Sequence, residues 1–416
     1  MERYDRYKDS GIEWIGEIPE YWKLARISYL YDSRNTKVSA ADYPALSVTM
    51  QGIVPQLESA AKTQDIDNRK LVLKGDFVIN SRSDRRGSCG ISELDGSVTL
   101  ISNVLAPKAG TKLNRSYFSY LFKSAGFADE FYKVGSGIVD DLWSTNWAKM
   151  KNIQICIPPF EDQIKIGHFL DRKTSEIDSL TQKTEKSIEL LQEYRKSVIS
   201  EAVTKGLDPN VPMKDSGVEW IGEIPKDWDV ARIKSIVRSV DEESIDVPLH
   251  AIMLEDIQSW TGKLISESDP NIIESNSRSF IRGDILFSKL RPYLAKAITA
   301  PFDGVCSGEL LVLRSTVLVH KFLFYFLLSF GFIDEINAAT YGAKMPRANW
   351  NIVGLTFLSY PEKEEQIAIA EYLDAKTVEI DSLIEKKKQL VEKLQEYRKS
   401  LISECVTGKV KVPGVE

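Results

Sequence analysis

The sequence predicts an α+β fold: two mixed α/β globules with strand-rich bodies, separated by two long helices. The main observation is that two blocks of sequence each occur twice, in the order A-x-B-A-y-B, whereas the segments x and y differ. Because each B block reads as a helix and the repeats are equivalent, the two helices should pair as an antiparallel coiled coil about a pseudo-two-fold axis. The fold should therefore hold two different surfaces in one symmetric frame.

The repeats are close enough to align without gaps. Block A, residues 8–19, returns at residues 214–225 with the same Trp-Ile-Gly-Glu-Ile-Pro ending. Block B, residues 163–204, returns at residues 366–407, and 26 of the 42 paired positions are identical. Since the second A block directly follows the first helix, we expect the first A block to lie beside the end of the second helix.

Chain length supports a division into two halves, because 416 residues exceed the size that one core usually sustains. We predict a first globular domain, a first spacer helix, a second globular domain, and a second spacer helix with the C-terminal tail. Their residue ranges are 1–157, 158–206, 207–360 and 361–416, respectively.

Each B block lacks proline and repeats its apolar residues mainly at three-four spacing, which predicts a long helix with one apolar stripe. Such a helix is not stable alone in water, so the two should pair. The predicted stripe of the first helix is Ile177, Leu180, Ile188, Leu191, Tyr194, Val198 and Ala202. That of the second is Ile380, Leu383, Leu390, Leu394, Tyr397, Leu401 and Cys405.

The segments between the blocks consist of short apolar runs separated by turn residues, a pattern typical of strands. Two longer segments, residues 117–131 and 321–336, have helical spacing. Paired tryptophans at equivalent places predict core anchors. The predicted strands are residues 43–49, 77–79, 97–101, 153–155, 285–287, 310–313 and 355–358, and the tryptophans are Trp14, Trp22, Trp147, Trp220, Trp228 and Trp350.

Composition indicates a globular protein with substantial cores, with 43% hydrophobic and 27% charged residues and a net charge of −6. No apolar run reaches the roughly 18 residues of a membrane span, and residues 1–6 are polar, so we expect a cytoplasmic protein without a membrane partner. Four scattered cysteines and three histidines argue against a metal site and for free thiols in a reducing compartment.

Several short motifs recur in both halves at matching places. They are the Trp-Ile-Gly-Glu-Ile-Pro opening, Gly75-Asp76-Phe77 with Gly283-Asp284-Ile285, and Asn146-Trp147 with Asn349-Trp350. An Ile-Pro-Pro or Tyr-Pro sequence then precedes each Gln-Ile helix. Together these motifs, across the whole chain, resemble the specificity subunit of type I restriction-modification systems, which act in host defence.

The resemblance implies a noncatalytic subunit that recognises double-stranded DNA. Each globule would be a target-recognition domain that reads half of a bipartite, asymmetric DNA sequence. The paired helices would set the gap between the half-sites and dock two methyltransferase subunits. Restriction and translocase subunits would join through the assembled complex. S-adenosylmethionine is expected on the methyltransferase partners, and no cofactor is expected on this chain.

Basic loops after equivalent predicted strands are the candidate DNA-binding sites. Arginine and lysine bind guanine edges and phosphates, and both loops follow strands in otherwise unlike domains. Either loop taken alone could instead be a solvated charged loop. The candidates are Arg82, Ser83, Arg85 and Arg86 in the first half, and Lys289, Arg291, Tyr293, Lys344 and Arg347 in the second.

The first-half counterpart of the last loop, residues 135–147, contains Asp140 and Asp141 instead of basic residues. Aspartates accept hydrogen bonds from cytosine amino groups, but a loop that faces away from DNA explains them equally well. Both interpretations remain open at this point.

Enzyme motifs are weak in this sequence. Ile157-Pro158-Pro159-Phe160 lacks the Asn or Asp that adenine methyltransferases place before Pro-Pro-aromatic, and Gly135-Ser136-Gly137 is a lone Gly-x-Gly. Three alternatives to the type I subunit remain: a noncatalytic coiled-coil adaptor that binds proteins, the specificity subunit of a related type II system, and an enzyme whose site forms only in the folded chain.

Overall fold

The computed structural model describes residues 2–56, 67–82, 86–137, 143–242, 250–269, 277–340 and 346–415. The chain forms two compact units. Unit 1 consists of Met1–Thr184 and Gln389–Glu416, and unit 2 consists of Glu185–Lys388. Each unit therefore contains one globule and a segment of each long helix.

Unit 1 contains short strands, short helices and the first part of the long helix α5. The strands are β1 Tyr7–Asp9, β2 Glu17–Pro19, β3 Lys23–Arg26, β4 Tyr31–Ser33, β5 Lys37–Val38, β6 Leu46–Val48, β7 Ile53–Pro55, β8 Arg69–Val72, β9 Phe77–Asn80, β10 Cys89–Ile91, β11 Gly96–Val98, β12 Ser102–Pro107 and β13 Gln154–Ile157. The helices are α1 Ile27–Leu30, α2 Arg115–Lys123, α3 Ala125–Lys133, α4 Trp147–Met150 and α5 Phe160–Lys205.

Unit 2 repeats this plan and contains the first part of the long helix α10. The strands are β14 Met213–Asp215, β15 Glu223–Pro225, β16 Asp229–Arg232, β17 Val237–Val240, β18 Ala251–Ile252, β19 Arg278–Phe280, β20 Ile285–Ser288, β21 Ala297–Thr299, β22 Gly304–Cys306, β23 Leu310–Ser315 and β24 Phe357–Tyr360. The helices are α6 Ile233–Ile236, α7 His320–Leu327, α8 Phe330–Ala338, α9 Trp350–Leu355 and α10 Lys363–Val406, with a 3-10 helix at Pro292–Leu294.

Both globules share one strand framework despite their different sequences. A four-stranded antiparallel sheet has the order β10-β9-β12-β4 in unit 1 and the corresponding order β21-β20-β23-β17 in unit 2. A three-stranded sheet accompanies each of them, with the order β11-β8-β5 or β18-β22-β19. The mixed α/β globules with strand-rich bodies are thus confirmed, and the framework places β9 and β20 at equivalent central positions.

Helices α5 and α10 begin and end at matching signals. Acidic residues in the first turn, such as Glu161 and Glu364, complement the helix dipole. Gly206 and Gly408 follow the last turns with positive φ angles of 76° and 71°, a backbone conformation that favours glycine. At about 1.5 Å per residue, the 46 residues of α5 span about 69 Å.

The two helices run antiparallel in both units, as predicted. In unit 2, Arg195 contacts Asp381, while Gly206 lies next to Glu365 at the start of α10. In unit 1, Arg398 contacts Asp178.

The hydroxyl of Tyr117 supports the same direction in unit 1. It lies within hydrogen-bonding distance of the carbonyl of Cys156, just before α5, and of that of Val406 at the end of α10, at 3.2 and 3.0 Å. The start of one helix therefore lies beside the end of the other.

The predicted apolar stripe was only partly correct. Five of its members are exposed: Leu180, Tyr194, Leu383, Leu390 and Tyr397. The buried face instead includes polar residues such as Thr174, Thr184 and Arg195, and the two threonine hydroxyls donate to carbonyls of their own helix at 2.8 Å. Because each hydroxyl is hydrogen-bonded within its own helix, threonine can occupy the buried face. The sequence therefore shows polar residues at buried positions.

The two predicted globule helices are each broken by a serine. Ser124 and Ser329 adopt an extended conformation, and their hydroxyls donate to the carbonyls of Leu121 and Phe326. Residues 117–131 and 321–336 therefore fold as two short helices each. Two predicted strand ends were also wrong, because residues 99–101 form a turn after β11 and Leu355 belongs to α9.

The tryptophans pack as predicted, with Trp22 and Trp228 fully buried. The other four are partly buried against the same cores. The first A block lies beside the end of α10, which confirms the predicted topology. The ammonium of Lys409 donates to the carbonyl of Glu17 at 2.6 Å, and Gly408 packs against Pro19.

Candidate nucleic-acid interface

The central strands β9 and β20 are buried along their whole length and carry the chain to the predicted basic loops. A Gly-Asp turn precedes each strand. Asp76 accepts from the backbone of Leu73 and from Arg34, and Asp284 accepts from the backbone of Ile281 and from Arg314. These turn motifs fix where each strand begins, and hence where each basic loop emerges.

In unit 1, the residues after β9 contact the segment before α4. The backbone of Arg82 forms a bridge with Ser144, and Thr145 donates to the carbonyl of Ser81 at 2.9 Å. Asn80 holds the turn, because its side-chain oxygen accepts from the backbone of Arg82 at 3.0 Å. The Arg82 side chain is exposed at this junction.

In unit 2, the residues after β20 make the same type of junction with the segment before α9. Leu290 forms a backbone bridge with Arg347, and Ala348 donates to the carbonyl of Lys289 at 2.7 Å. Arg291 donates from its backbone to the carbonyl of Pro346 at 2.9 Å. The structure thus brings two separate sequence candidates, the loop at Lys289 and the turn at Arg347, into one cluster.

The two junctions carry different types of side chain at equivalent backbone positions. Lys289 occupies the position of Ser81, and Arg347 occupies the position of Ser144. Conversely, Arg82 occupies the position of an apolar residue, Leu290. The same backbone hydrogen-bonding arrangement therefore carries basic side chains at different positions in the two units.

In the second junction, the carboxylate of Glu309 lies among basic residues. Arg347 donates to its carboxylate at 2.8 Å, and Glu309 lies close to Lys289 through a backbone hydrogen bond of 2.9 Å. Burial lowers the pKa of Lys289, and the nearby charges of Arg278 and Arg347 lower it further, whereas Glu309 opposes them.

Arg291 and Tyr293 lie on a constrained turn. Arg291 has a left-handed φ of 49° and precedes the 3-10 helix, and Ala295 after it has a φ of 44°. Non-glycine residues in this region carry about 1 kcal/mol or more of strain and cluster at functional sites. The turn leaves both the Arg291 and the Tyr293 side chains exposed.

Arg86, like Arg347, has partners within its own unit. Its guanidinium contacts the Asp129 carboxylate and lies 5.0 Å from the centre of the Tyr132 ring. Ser83, Arg85 and Lys344, together with Asp140 and Asp141, lie outside the described residues.

Sequence reasoning missed two residues of the second cluster. Arg278 on β19 contacts Asp241 and acts on the charge of Lys289, and Glu309 precedes β23. The strand register that pairs Arg278 with Cys306 brings Arg278 to this place, and nothing local in the sequence signals it. It also missed Trp143, whose ring stacks on Tyr132 at 5.6 Å.

The weak enzyme motifs have structural roles. Gly135 packs against Trp143, where a Cβ would lie 2.4 Å from the indole nitrogen. Ile157 ends β13, and Phe160 begins α5 after the two prolines. The described residues hold no group of three or more His, Cys, Asp or Glu side chains arranged for a metal ion. Nor do they include a helix both long and apolar enough to cross a bilayer.

Comparison with known proteins shows which proteins the chain resembles. Residues 22–190 match the model of the type I restriction modification DNA specificity domain. A type I restriction enzyme specificity subunit of Methanocaldococcus jannaschii, MjaVIII, is 25% identical over 95% of this chain and 94% of its own length. Residues 22–190 are therefore similar to this DNA specificity domain, and nearly the whole chain is similar to type I restriction enzyme specificity subunits.

The similarity extends to a specificity subunit from a bacterium and to solved structures. The EcoDI specificity subunit of Escherichia coli is 24% identical over 62% of this chain and 63% of its own length. A chain from work on complex assembly and conformational transition of the type I R-M system has a TM-score of 0.63 at 13% identity, covering 94% of this chain and 98% of that one.

The HsdS subunit of Thermoanaerobacter tengcongensis has a TM-score of 0.54 at 14% identity, with coverage of 94% and 98%. At these identities the two solved structures show a shared fold. The junctions at Arg82 and at Lys289 and Arg347 share backbone hydrogen bonds but place basic side chains at different positions.

Proposed function

We propose that this chain is the DNA sequence-recognition subunit of a type I restriction-modification complex, in which each globule reads one half of a bipartite target. The observation that carries the proposal is the pair of equivalent junctions after β9 and β20. They share backbone hydrogen bonds but place arginine and lysine at different positions. Two globules that share a backbone arrangement but place basic side chains differently are suited to recognising different base sequences.

The second junction would combine phosphate and base contacts. Lys289 and Arg347 lie together beside Glu309, so the cluster offers both donors and an acceptor. Arginine binds guanine edges, and a carboxylate accepts from the cytosine amino group. The exposed Arg291 and Tyr293 on the adjacent constrained turn would extend this surface.

The helices would dock two methyltransferase subunits and set the gap between the half-sites. Exposed apolar residues occur at repeat-equivalent positions of the two helices, as Leu180 with Leu383 and Tyr194 with Tyr397. Exposed large apolar side chains that recur in both repeats are suited to two copies of one partner. Methylation, with its S-adenosylmethionine, and cleavage would then reside in partner subunits.

Two variants test the reading of half-sites separately. The first combines Lys289→Ala with Arg347→Ala, and the second is Arg82→Ala, which serves as its matched control in the other globule. The target would first be mapped by methylation sequencing of cells that carry the chain with its methyltransferase. Duplexes altered in one half-site at a time would then be titrated with the assembled complex at several salt concentrations.

Each variant should impair recognition of only one half-site. Loss of a base-reading cation should weaken binding by about 1–3 kcal/mol and relax one base position. Loss of a phosphate contact should weaken binding to all sequences and reduce the salt slope by about one unit. If both variants bound every duplex as tightly as the parent complex, the junctions would not face DNA.

A further inference from the structure

A repeated ion pair on the two long helices is covered in one unit and open in the other. Arg195 and Asp381 in unit 2 correspond, through the repeat, to Arg398 and Asp178 in unit 1. The first pair is 7% and 14% exposed, whereas the second is 37% and 51% exposed. The same helix sequence is therefore used in two different environments.

A hairpin of the second globule covers the pair in unit 2. This segment, residues 257–264, is called the Trp260 hairpin, and a backbone bridge between Ile257 and Leu264 closes it. The guanidinium of Arg195 donates to the carbonyl of Trp260 at 2.6 Å. Trp260 itself has a left-handed φ of 64°, which turns its carbonyl toward the helix while its N–H donates to Ala295.

Two further contacts complete this docking in unit 2. The ammonium of Lys196 lies 4.0 Å from the centre of the Trp260 ring, a cation-π contact. Lys263 of the hairpin contacts the second oxygen of Asp381 at 2.9 Å. Recognition thus uses a backbone carbonyl, an aromatic ring and one basic side chain.

Unit 1 retains all three helix residues that make these contacts. Arg398, Lys399 and Asp178 are the repeat equivalents of Arg195, Lys196 and Asp381, and the identical stretch Leu-Gln-Glu-Tyr-Arg-Lys-Ser surrounds the first two. The counterpart of the Trp260 hairpin is the shorter hairpin β6–β7, whose turn includes Met50. Within the part of unit 1 that the structure describes, Arg398 bonds to Asp178 alone.

An open cleft of about 820 Å³ lies beside the partly exposed Arg398 in unit 1. Arg398 and Lys399 line it on the helix side, and Met50, which is 73% exposed, lies at its edge. Tyr120 and Lys123 form its floor toward the first globule. Four basic side chains (Arg115, Lys123, Arg398 and Lys399) and two acidic ones (Glu93 and Asp171) line the cleft.

We propose that this cleft of unit 1 binds a loop of a partner protein that presents an aromatic ring, a turned backbone carbonyl and a basic side chain. The ring would lie on Lys399, the carbonyl would accept from Arg398, and the basic group would contact Asp178. The occupant is a different protein rather than a second copy, because the Trp260 hairpin of each copy is already bound within its own unit 2. This inference goes beyond DNA recognition and does not depend on it.

The Trp260 hairpin supplies the probe for a test. A fluorescein-labelled, head-to-tail cyclised peptide of residues 257–264 would be titrated with the full-length chain, and fluorescence anisotropy would measure binding. The parent chain should bind it saturably, and Arg398→Ala and Lys399→Ala should each weaken binding at least about tenfold, the scale of one lost cation contact. A peptide in which alanine replaces the tryptophan should bind as weakly.

Arg172→Ala is the matched control, because Arg172 is an exposed arginine of α5 that does not line the cleft. It should leave peptide binding unchanged, and thermal unfolding of all variants would verify that they fold. No saturable binding up to about 1 mM peptide would overturn the proposal, as would equal binding by the Arg398→Ala chain. Displacement of the peptide by duplex DNA would assign the cleft to nucleic acid and also overturn it.

A second copy as the occupant would appear in sedimentation. If the parent chain formed a dimer that Arg398→Ala converted to a monomer, the cleft would bind a copy of this chain, and the proposal of a different partner would be wrong.

Discussion

At the scale of single residues, the candidate interface depends on which side chain occupies a backbone position that both globules share. Lys289 and Ser81 have the same hydrogen-bonding environment, yet one is a cation and the other is neutral. Arg86 differs in its surroundings, because its guanidinium contacts the Asp129 carboxylate and the Tyr132 ring. Substitution of Arg82 or Lys289 should therefore alter recognition of DNA. Substitution of Arg86 should also disturb its packing against Asp129 and Tyr132.

The cysteines give a prediction at the same scale. All four thiols are buried, and burial raises the pKa of Cys89, Cys156, Cys306 and Cys405 to about 12. Only the thiolate reacts with iodoacetamide, and a raised pKa reduces the thiolate fraction at pH 8. The native chain should therefore remain unmodified at pH 8 over an hour, and the urea-unfolded chain should take up four labels by mass spectrometry. Rapid labelling of the native chain would contradict the burial.

At the scale of elements, the long helices combine one repeated sequence with two different environments. Their direction was predictable from the repeat, and the antiparallel contacts confirm it. The buried stripe was harder to predict, because threonine hydroxyls bonded to their own helix satisfy polar groups on the buried face. The periodicity of apolar residues does not reveal which polar side chains are hydrogen-bonded within their own helix and can therefore be buried.

The two ion pairs provide a matched test of burial. Arg195→Ala should lower the free energy of unfolding by about 2–3 kcal/mol, because it leaves Asp381 partly uncompensated and a buried carbonyl without its donor. Arg398→Ala removes the exposed equivalent and should lower it by less than about 1 kcal/mol. Urea unfolding followed by circular dichroism measures both. Equal losses would mean that the Trp260 hairpin does not shield the pair in solution.

At the scale of the whole molecule, the repeat order predicted the topology of each unit. The first A block lies beside the end of α10, as the second lies beside the end of α5, and Trp22 and Trp228 occupy equivalent places next to Gly408 and Gly206. The loop contacts were not predictable, because they depend on strand register. The pairing of Leu290 with Arg347, 57 positions apart, is one example.

A circular permutation tests this topology. Joining Glu416 to Met1 by a short linker and reopening the chain at Asp208-Pro209-Asn210, an exposed stretch after α5, should give a folded protein with a melting temperature within a few degrees of the parent. Reopening instead at Gln182-Lys183, inside α5, is the matched control and should disrupt folding. Thermal unfolding and gel filtration distinguish the two. An aggregated product from the first cut would count against the arrangement.

The composition of the units also has a consequence for synthesis on the ribosome. Unit 2 is one continuous stretch and can complete its core once residue 388 has emerged. Unit 1 needs its last segment, because Leu401, Cys405 and Val412 pack in the same core as Tyr4 and Trp22. The first half of the chain must therefore wait, with part of its core exposed, until nearly the whole chain has left the exit tunnel. The domain made first is the one that finishes folding last.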